Sequence, residues 1–238
     1  MAALKVAHPL DDRTTCTANL DAARGAPQAV NGLVFYIGLG LGLALAAGVR
    51  PFLPALLAGA LASAKALGVT FGAGDFHFLQ SGWWLLAVAL ALVLAYGAQM
   101  ALGLDPALDP NDRARRRNDP LAASLTGLAF GAGGLLFAGT LAAHHDASWP
   151  GVLAGFAAVA LSQRVCAPLV VRTRARLSDR GAREAVTLYL DAAALLLAAL
   201  TALLHPLGYV AVALFAWMWL RTRGRSREKH AGLRILRR

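Results

Sequence analysis

Charge is scarce along most of this chain. No charged side chain stands between Arg24 and Arg50, and from there to Asp75 only Lys65 carries one. Further uncharged runs cover 76–104, 120–145 and 192–220. Each holds the roughly 20 residues that a helix needs to cross the hydrocarbon of a bilayer. A soluble core rarely needs so many in succession. With 58% hydrophobic and 15% charged residues and a mean hydropathy of +0.55, one or two soluble domains are excluded in favour of a multi-pass membrane protein. The runs are rich in Ala and Leu without period-two alternation, and hydrocarbon offers backbone amides no partner, so helices are expected and a barrel is not.

Cysteine is nearly absent. Cys16 and Cys166 cannot make a framework, and a structural disulfide is not expected. The opening 28 residues lack the basic start, apolar run and small-residue cleavage site of a secretory signal, and read as a polar lead. Residues 29–221 read as the transmembrane domain and 222–238 as a basic cytoplasmic tail.

Acidic residues are the minority sign, 13 against 23 basic, for a formal charge of +10. The placement of that excess decides its meaning. Arg113, Arg115, Arg116 and Arg117 share one connector, Arg172, Arg174, Arg176, Arg180 and Arg183 another, and eight basic residues follow Leu220. Nearly all the arginine thus lies between the apolar runs, which is the positive-inside pattern. Membrane lipids are therefore the expected partners, with anionic headgroups at the basic loops and tail, and nucleic acid is not.

The organising stretch is Gly48-Val49-Arg50-Pro51-Phe52-Leu53-Pro54. It separates an apolar block at 30–49 from a shorter one at 52–67. Proline suits a helix start because it lacks an amide that the first turn leaves unpaired. The first segment is thus broken at Arg50, and the second block, about 24 Å long as a helix, either spans with local thinning or re-enters. Later, Trp83-Trp84 and Trp149 open spans at an interface, and His205-Pro206 turns the last run into a hairpin. Three in-out-in units follow the first block, a weak internal repeat whose first two members start at Arg50-Pro51 and Asp119-Pro120. The expected fold is an all-α polytopic transmembrane bundle of six to seven spans with the C-terminus in the cytoplasm. If 52–67 crosses, the count is seven and the N-terminus lies outside, and this count is preferred.

Among these residues, Gly48 to Pro54 resembles the Gly-Leu-Arg-x-Phe-Leu-Pro signature of a family of uncharacterised bacterial membrane proteins, the domain of unknown function 4126. Asp105 to Asp112, Pro120, Gly127, Asp191 and His205-Pro206 add to a similarity over roughly residues 33 to 222. Gln99 stands where an acidic residue is expected, and Asp-Pro replaces Asp-Lys-x-Pro. The resemblance implies a bacterial inner membrane and a topology; it implies no activity.

Arg50 beside Pro51 and Pro54 forms the leading candidate solute or ion site. A cation inside apolar sequence costs about 2.5–3.5 kcal/mol on insertion scales unless it faces a headgroup interface or a polar cavity. It either binds an anionic solute or lipid phosphate, aided by free amides at the following helix start, or pins a tight turn at the interface. Asp191, seven residues beyond Glu184, either pairs with Arg50 inside the bundle, carries a proton, or stays in the inner headgroup zone. Gly38 with Gly42, and Gly127 with Gly131, form small-xxx-small pairs expected to pack helices. Such faces also suit a homo-oligomer. His144, His145 and Asp146, with Asp75 and His77, lack metal-ligand spacing, and no nucleophile, base and orienting group form a catalytic set, so no metal, cofactor or enzymatic activity is expected. The leading function is a carrier, channel-like or lipid-handling protein; the alternative is a membrane scaffold.

Overall fold

The computed structural model describes residues 32–67, 69, 71, 74–101, 120–144, 147–177 and 180–235. Among them there is no strand. The helices are α1 (Gly32–Val49), α2 (Phe52–Ser63), α3 (Gly82–Ala101), α4 (Pro120–Ala142), α5 (Trp149–Ala175), α6 (Arg180–Leu203) and α7 (Leu207–Ile235), with a 3-10 stretch at Gly74–Gln80 before α3. Four stretches are long and apolar enough to cross a membrane: Gly32–Val49, Ala123–Ala142, Trp149–Thr173 and Ala185–Leu203. The aspartate loop at 105–112, the arginine cluster at 113–117 and the polar lead lie outside the described residues.

The outer surface identifies the solvent. Leu86, Leu90, Val93 and Leu94 of α3, Leu196, Leu200 and Leu203 of α6, and Val210, Leu214 and Trp217 of α7 are all exposed. Aliphatic rows of this extent would be an aggregation surface in water, and they are the ordinary outside of a protein in lipid. Trp83 and Trp149 stand exposed where α3 and α5 begin. Toward the opposite end of α7, the guanidinium of Arg221 lies 5.2 Å from the Trp217 ring centroid and that of Arg223 lies 3.7 Å from Trp219. Aromatic rings paired with arginine are interfacial anchors. The chain is a helical membrane protein.

α1 is the central element. From Gly38 to Gly48 every residue except Leu41 is buried. Small residues make this enclosure possible: a Cβ at Gly38 would collide with the His205 carbonyl, at Gly40 with the Phe137 ring, at Gly42 with Thr201, and at Gly48 with Ser162, 2.8 Å away. Thus α4, α5, α6 and α7 all close on one glycine-lined helix. Two buried hydroxyls are satisfied locally, Thr140 donating to the Phe137 carbonyl and Thr201 to those of Leu197 and Ala198. The bundle is therefore held chiefly by close packing, as expected where lipid is as apolar as the interior.

The contacts also give the direction of each helix. The start of α1 lies near His205, and its end near Ser162 and Asp191. α2 begins beside Tyr96 of α3, whereas its Gly59 meets Leu79 and Leu85, so α2 and α3 are antiparallel. Because Leu79 in turn packs on Gly139 of α4, close to where α1 starts, α2 runs back toward the side from which α1 came. α4 and α5 form a second hairpin, with Gly155 on Gly133 and Gly151 on Ala138, and α6 with α7 a third.

Several boundaries differ from the sequence reading. The block at 52–67 is helical only over Phe52–Ser63, 12 residues or about 18 Å, too short to cross as a helix. It stops where Lys65 and Leu67 adopt left-handed backbone, with φ of 52° and 56°, and Val69 and Phe71 then turn back into the core. Leu79 of the 3-10 stretch before α3 joins them there. The arginine-bearing stretch at 172–183 reads as a polar, helical loop, and most of it is helix, since α5 runs to Ala175 and α6 starts at Arg180. The basic tail continues α7 as helix to Ile235.

Gly127 and Gly131 need a correction. Nothing among the described residues lies within 4 Å of where their Cβ atoms would be, so among those residues they pack against no other helix. The close contacts of α4 belong to Gly133, against Val159, and Gly134, against Phe156. Those glycines lie on the faces of α4 that α5 covers, while the predicted pair faces outward.

Candidate functional site

The break between α1 and α2 is built by the backbone. The Arg50 amide still donates to the Ala46 carbonyl at 3.0 Å, completing α1, and Pro51 then serves as N-cap of α2 with no side-chain hydrogen bond. Helix starts leave their first amides without intrahelical acceptors. Here those of Phe52 and Leu53 are such amides, and Pro54, fully buried in the same turn, has none to offer.

At this break Arg50 meets Asp191. Nε lies 2.6 Å from Oδ1, with the side chains 21% and 10% exposed. The contact is Coulombic and off the N–H axis, since Oδ1 accepts no aligned hydrogen bond. Tyr96 of α3 donates its hydroxyl to the other oxygen, Oδ2. Three elements thus converge on one buried carboxylate. Of the alternatives open for Asp191, the internal ion pair is the one formed.

A half-open cavity of about 240 Å³ adjoins the pair. Its polar lining is Arg50, Tyr96, Thr126, Gln163 and Asp191, and Pro51, Phe52 and Leu53 bring the α2 start to its wall. Leu92 and Ala95 of α3 and Leu125 and Ala129 of α4 line the apolar remainder. The volume is below the roughly 300–1,000 Å³ of sites for drug-sized ligands. It suits one small ion or the polar end of a longer molecule.

Arg50 uses Nε for Asp191, and this pair is the only polar contact of its side chain among the described residues. The two terminal nitrogens remain, in a planar fork that matches a carboxylate or phosphate. The α2 start adds partial positive charge at the same place.

Of the residues expected at this site, Arg50, Pro51 and Asp191 line the cavity and Pro54 lies behind it. Gly38 and Gly42 stand further along α1, against α7 and α6. Tyr96, Thr126 and Gln163 escape the sequence reading. Tyr96 had a signal: a phenol within an apolar span requires a hydrogen-bond partner. Replacing Tyr96 by Phe is expected to lower stability by about 1.5 kcal/mol, the worth of a hydrogen bond to a charged acceptor. Equilibrium unfolding in mixed micelles measures it.

The histidines do not converge. His144 stacks on Tyr36 with ring centroids 3.2 Å apart, His205 meets Phe35 edge-on, and His77 is exposed. His145 and Asp146 lie outside the described residues, as does the Asp75 side chain. Among the described residues, no three His, Cys, Asp or Glu side chains are grouped to hold a metal ion. Comparison with protein-family models, curated proteins and solved structures found no match for the chain.

Proposed function

We propose that this membrane protein handles an anionic solute or lipid at the Arg50 break, as a carrier, a channel-like protein or a lipid-handling protein. The observation that carries the reading is the buried Arg50–Asp191 pair beside a cavity, with the guanidinium fork and an uncapped helix start turned to the same space. A buried pair is poor evidence of stability, because burial of both charges costs several kcal/mol per ion before their attraction repays it. Its retention at a cavity is accounted for by a ligand that exchanges with one partner.

The topology belonging to this reading has seven passes in a bacterial cytoplasmic membrane. α1 enters from outside, α2 and the packed segment after it return, and α7 ends on the cytoplasmic side with the basic tail. Alternating helix directions and arginine-bearing connectors support it. Kinship with the domain of unknown function 4126 family belongs to the same proposal and rests on Gly48 to Pro54.

Reconstituted protein titrated with small carboxylates, phosphate and anionic lipids tests the site. Wild type is expected to bind at least one class, Arg50→Ala to lose that binding, and Arg50→Lys to keep only part of it, because a point charge lacks the fork. Equal binding and flux in all three would remove the proposal. The scaffold reading retains one supporting observation, the outward Gly127 and Gly131, which leave room for a helix of another chain or a second copy. Crosslinking in native membranes that yields a stoichiometric partner, with no solute dependence, would favour it.

A further inference from the structure

We infer that the occupant is the phosphate headgroup of an anionic phospholipid, entering sideways from the bilayer between α3 and α4. The inference rests on the function proposed above and names its ligand class and route.

The route follows from how the cavity is walled. α3 packs on α2 and on the 3-10 stretch, and α4 packs on α5; between α3 and α4 there is no packed interface among the described residues, although both line the cavity. On the other flank of α3 the Tyr96 hydroxyl reaches Asp191 and bridges α3 to α6. The unbridged flank lies beside Leu92 and Leu125, and Thr126 at the cavity wall is itself exposed. Next to it the outer face of α3 presents Val93 and Leu94, 65% and 62% exposed, to lipid. An amphiphile can therefore keep its acyl chains outside among these residues while its head passes an apolar seam to a polar end.

The chemistry follows from the acceptor side. A phosphate diester accepts hydrogen bonds and carries one negative charge, matching the Arg50 fork and the free amides at the α2 start. About 240 Å³ accommodates a headgroup and excludes a whole lipid. Asp191, 7% exposed and lacking an aligned donor at Oδ1, is the built-in competitor. Headgroup and carboxylate contend for one guanidinium, so removing the carboxylate's charge favours the lipid.

Two substitutions should therefore move binding in opposite directions. Native mass spectrometry of the full-length protein in mild detergent, with phosphatidylglycerol, phosphatidylcholine or inorganic phosphate added, reads it. The expected result is one retained phosphatidylglycerol, at least tenfold weaker in Arg50→Gln and several-fold stronger in Asp191→Asn, with Lys65→Gln, an exposed cation past the other end of α2, unchanged. A structural role alone would weaken both site variants together. As a readout independent of folding in those variants, a photo-crosslinker at Leu125 should capture phosphatidylglycerol in the otherwise wild-type protein, and one at Leu214, exposed on α7, which does not line the cavity, should show no preference among lipids. Arg50-dependent binding of free phosphate with no lipid selectivity overturns lateral entry and leaves the proposed function standing. Absence of Arg50-dependent binding to any probe overturns both.

Discussion

Arg50→Ala is expected to cost about 3–5 kcal/mol of stability, because it strands Asp191 as an uncompensated buried charge. Asp191→Ala should cost a similar amount for the converse reason. The double variant Arg50→Met with Asp191→Leu is expected to recover most of the loss, since apolar residues of like volume replace a buried pair at little cost. Unfolding of wild type, Arg50→Met, Asp191→Leu and their double variant in one lipid-containing micelle gives the coupling energy, which should be at least about 3 kcal/mol if each single loss is that large and the double recovers most of it. Additive losses would mean that the charges are solvated separately. With strong coupling, stability and binding separate: the double variant should be well folded and unable to bind an anion.

Gly208→Val is the second large effect expected. A Cβ at residue 208 would run into the carbonyl of Gly38, and a Cβ at Gly38 into that of His205. These are backbone atoms, which cannot rotate away as side chains do. Overpacking usually costs about 1–3 kcal/mol when side chains can yield; here α7 must separate from α1, and a loss at or above the upper figure is expected. The matched control is Gly127→Ala, with open space around it, which should change stability little or raise it by up to about 1 kcal/mol through helix propensity. Parallel melting curves check both. Equal destabilisation at 127 and 208 would mean that α4 carries a contact made with another chain.

The contrast between these glycines marks where sequence reasoning stops. Gly38 with Gly42 and Gly127 with Gly131 share a spacing and an apolar setting, and spacing fixes only that two residues share a helix face. Whether another helix covers that face is settled by where remote segments pack. The break at Arg50 was legible for the opposite reason: Gly48, Pro51 and Pro54 act on the local backbone, and an arginine in apolar surroundings demands compensation wherever it lies. Pairing with Asp191 could be named as one outcome among several because few acids occur in the spans. Tyr96 stayed hidden among aromatics that serve as packing, and the early end of α2 was hidden because Ala64, Lys65 and Ala66 favour continued helix. Burial of Val69 and Phe71 overrides that preference.

The central position of α1 has a consequence for how the protein is made. α1 is synthesised before α4 through α7, which must later surround it, and Arg50 leaves the ribosome about 140 residues ahead of its counter-ion. Until Asp191 follows, the nascent chain must shelter a guanidinium in lipid headgroups or against the insertion machinery. The Arg50–Asp191 pair therefore forms only once α6 is in place, and α7 then closes over the start of α1 at Gly38.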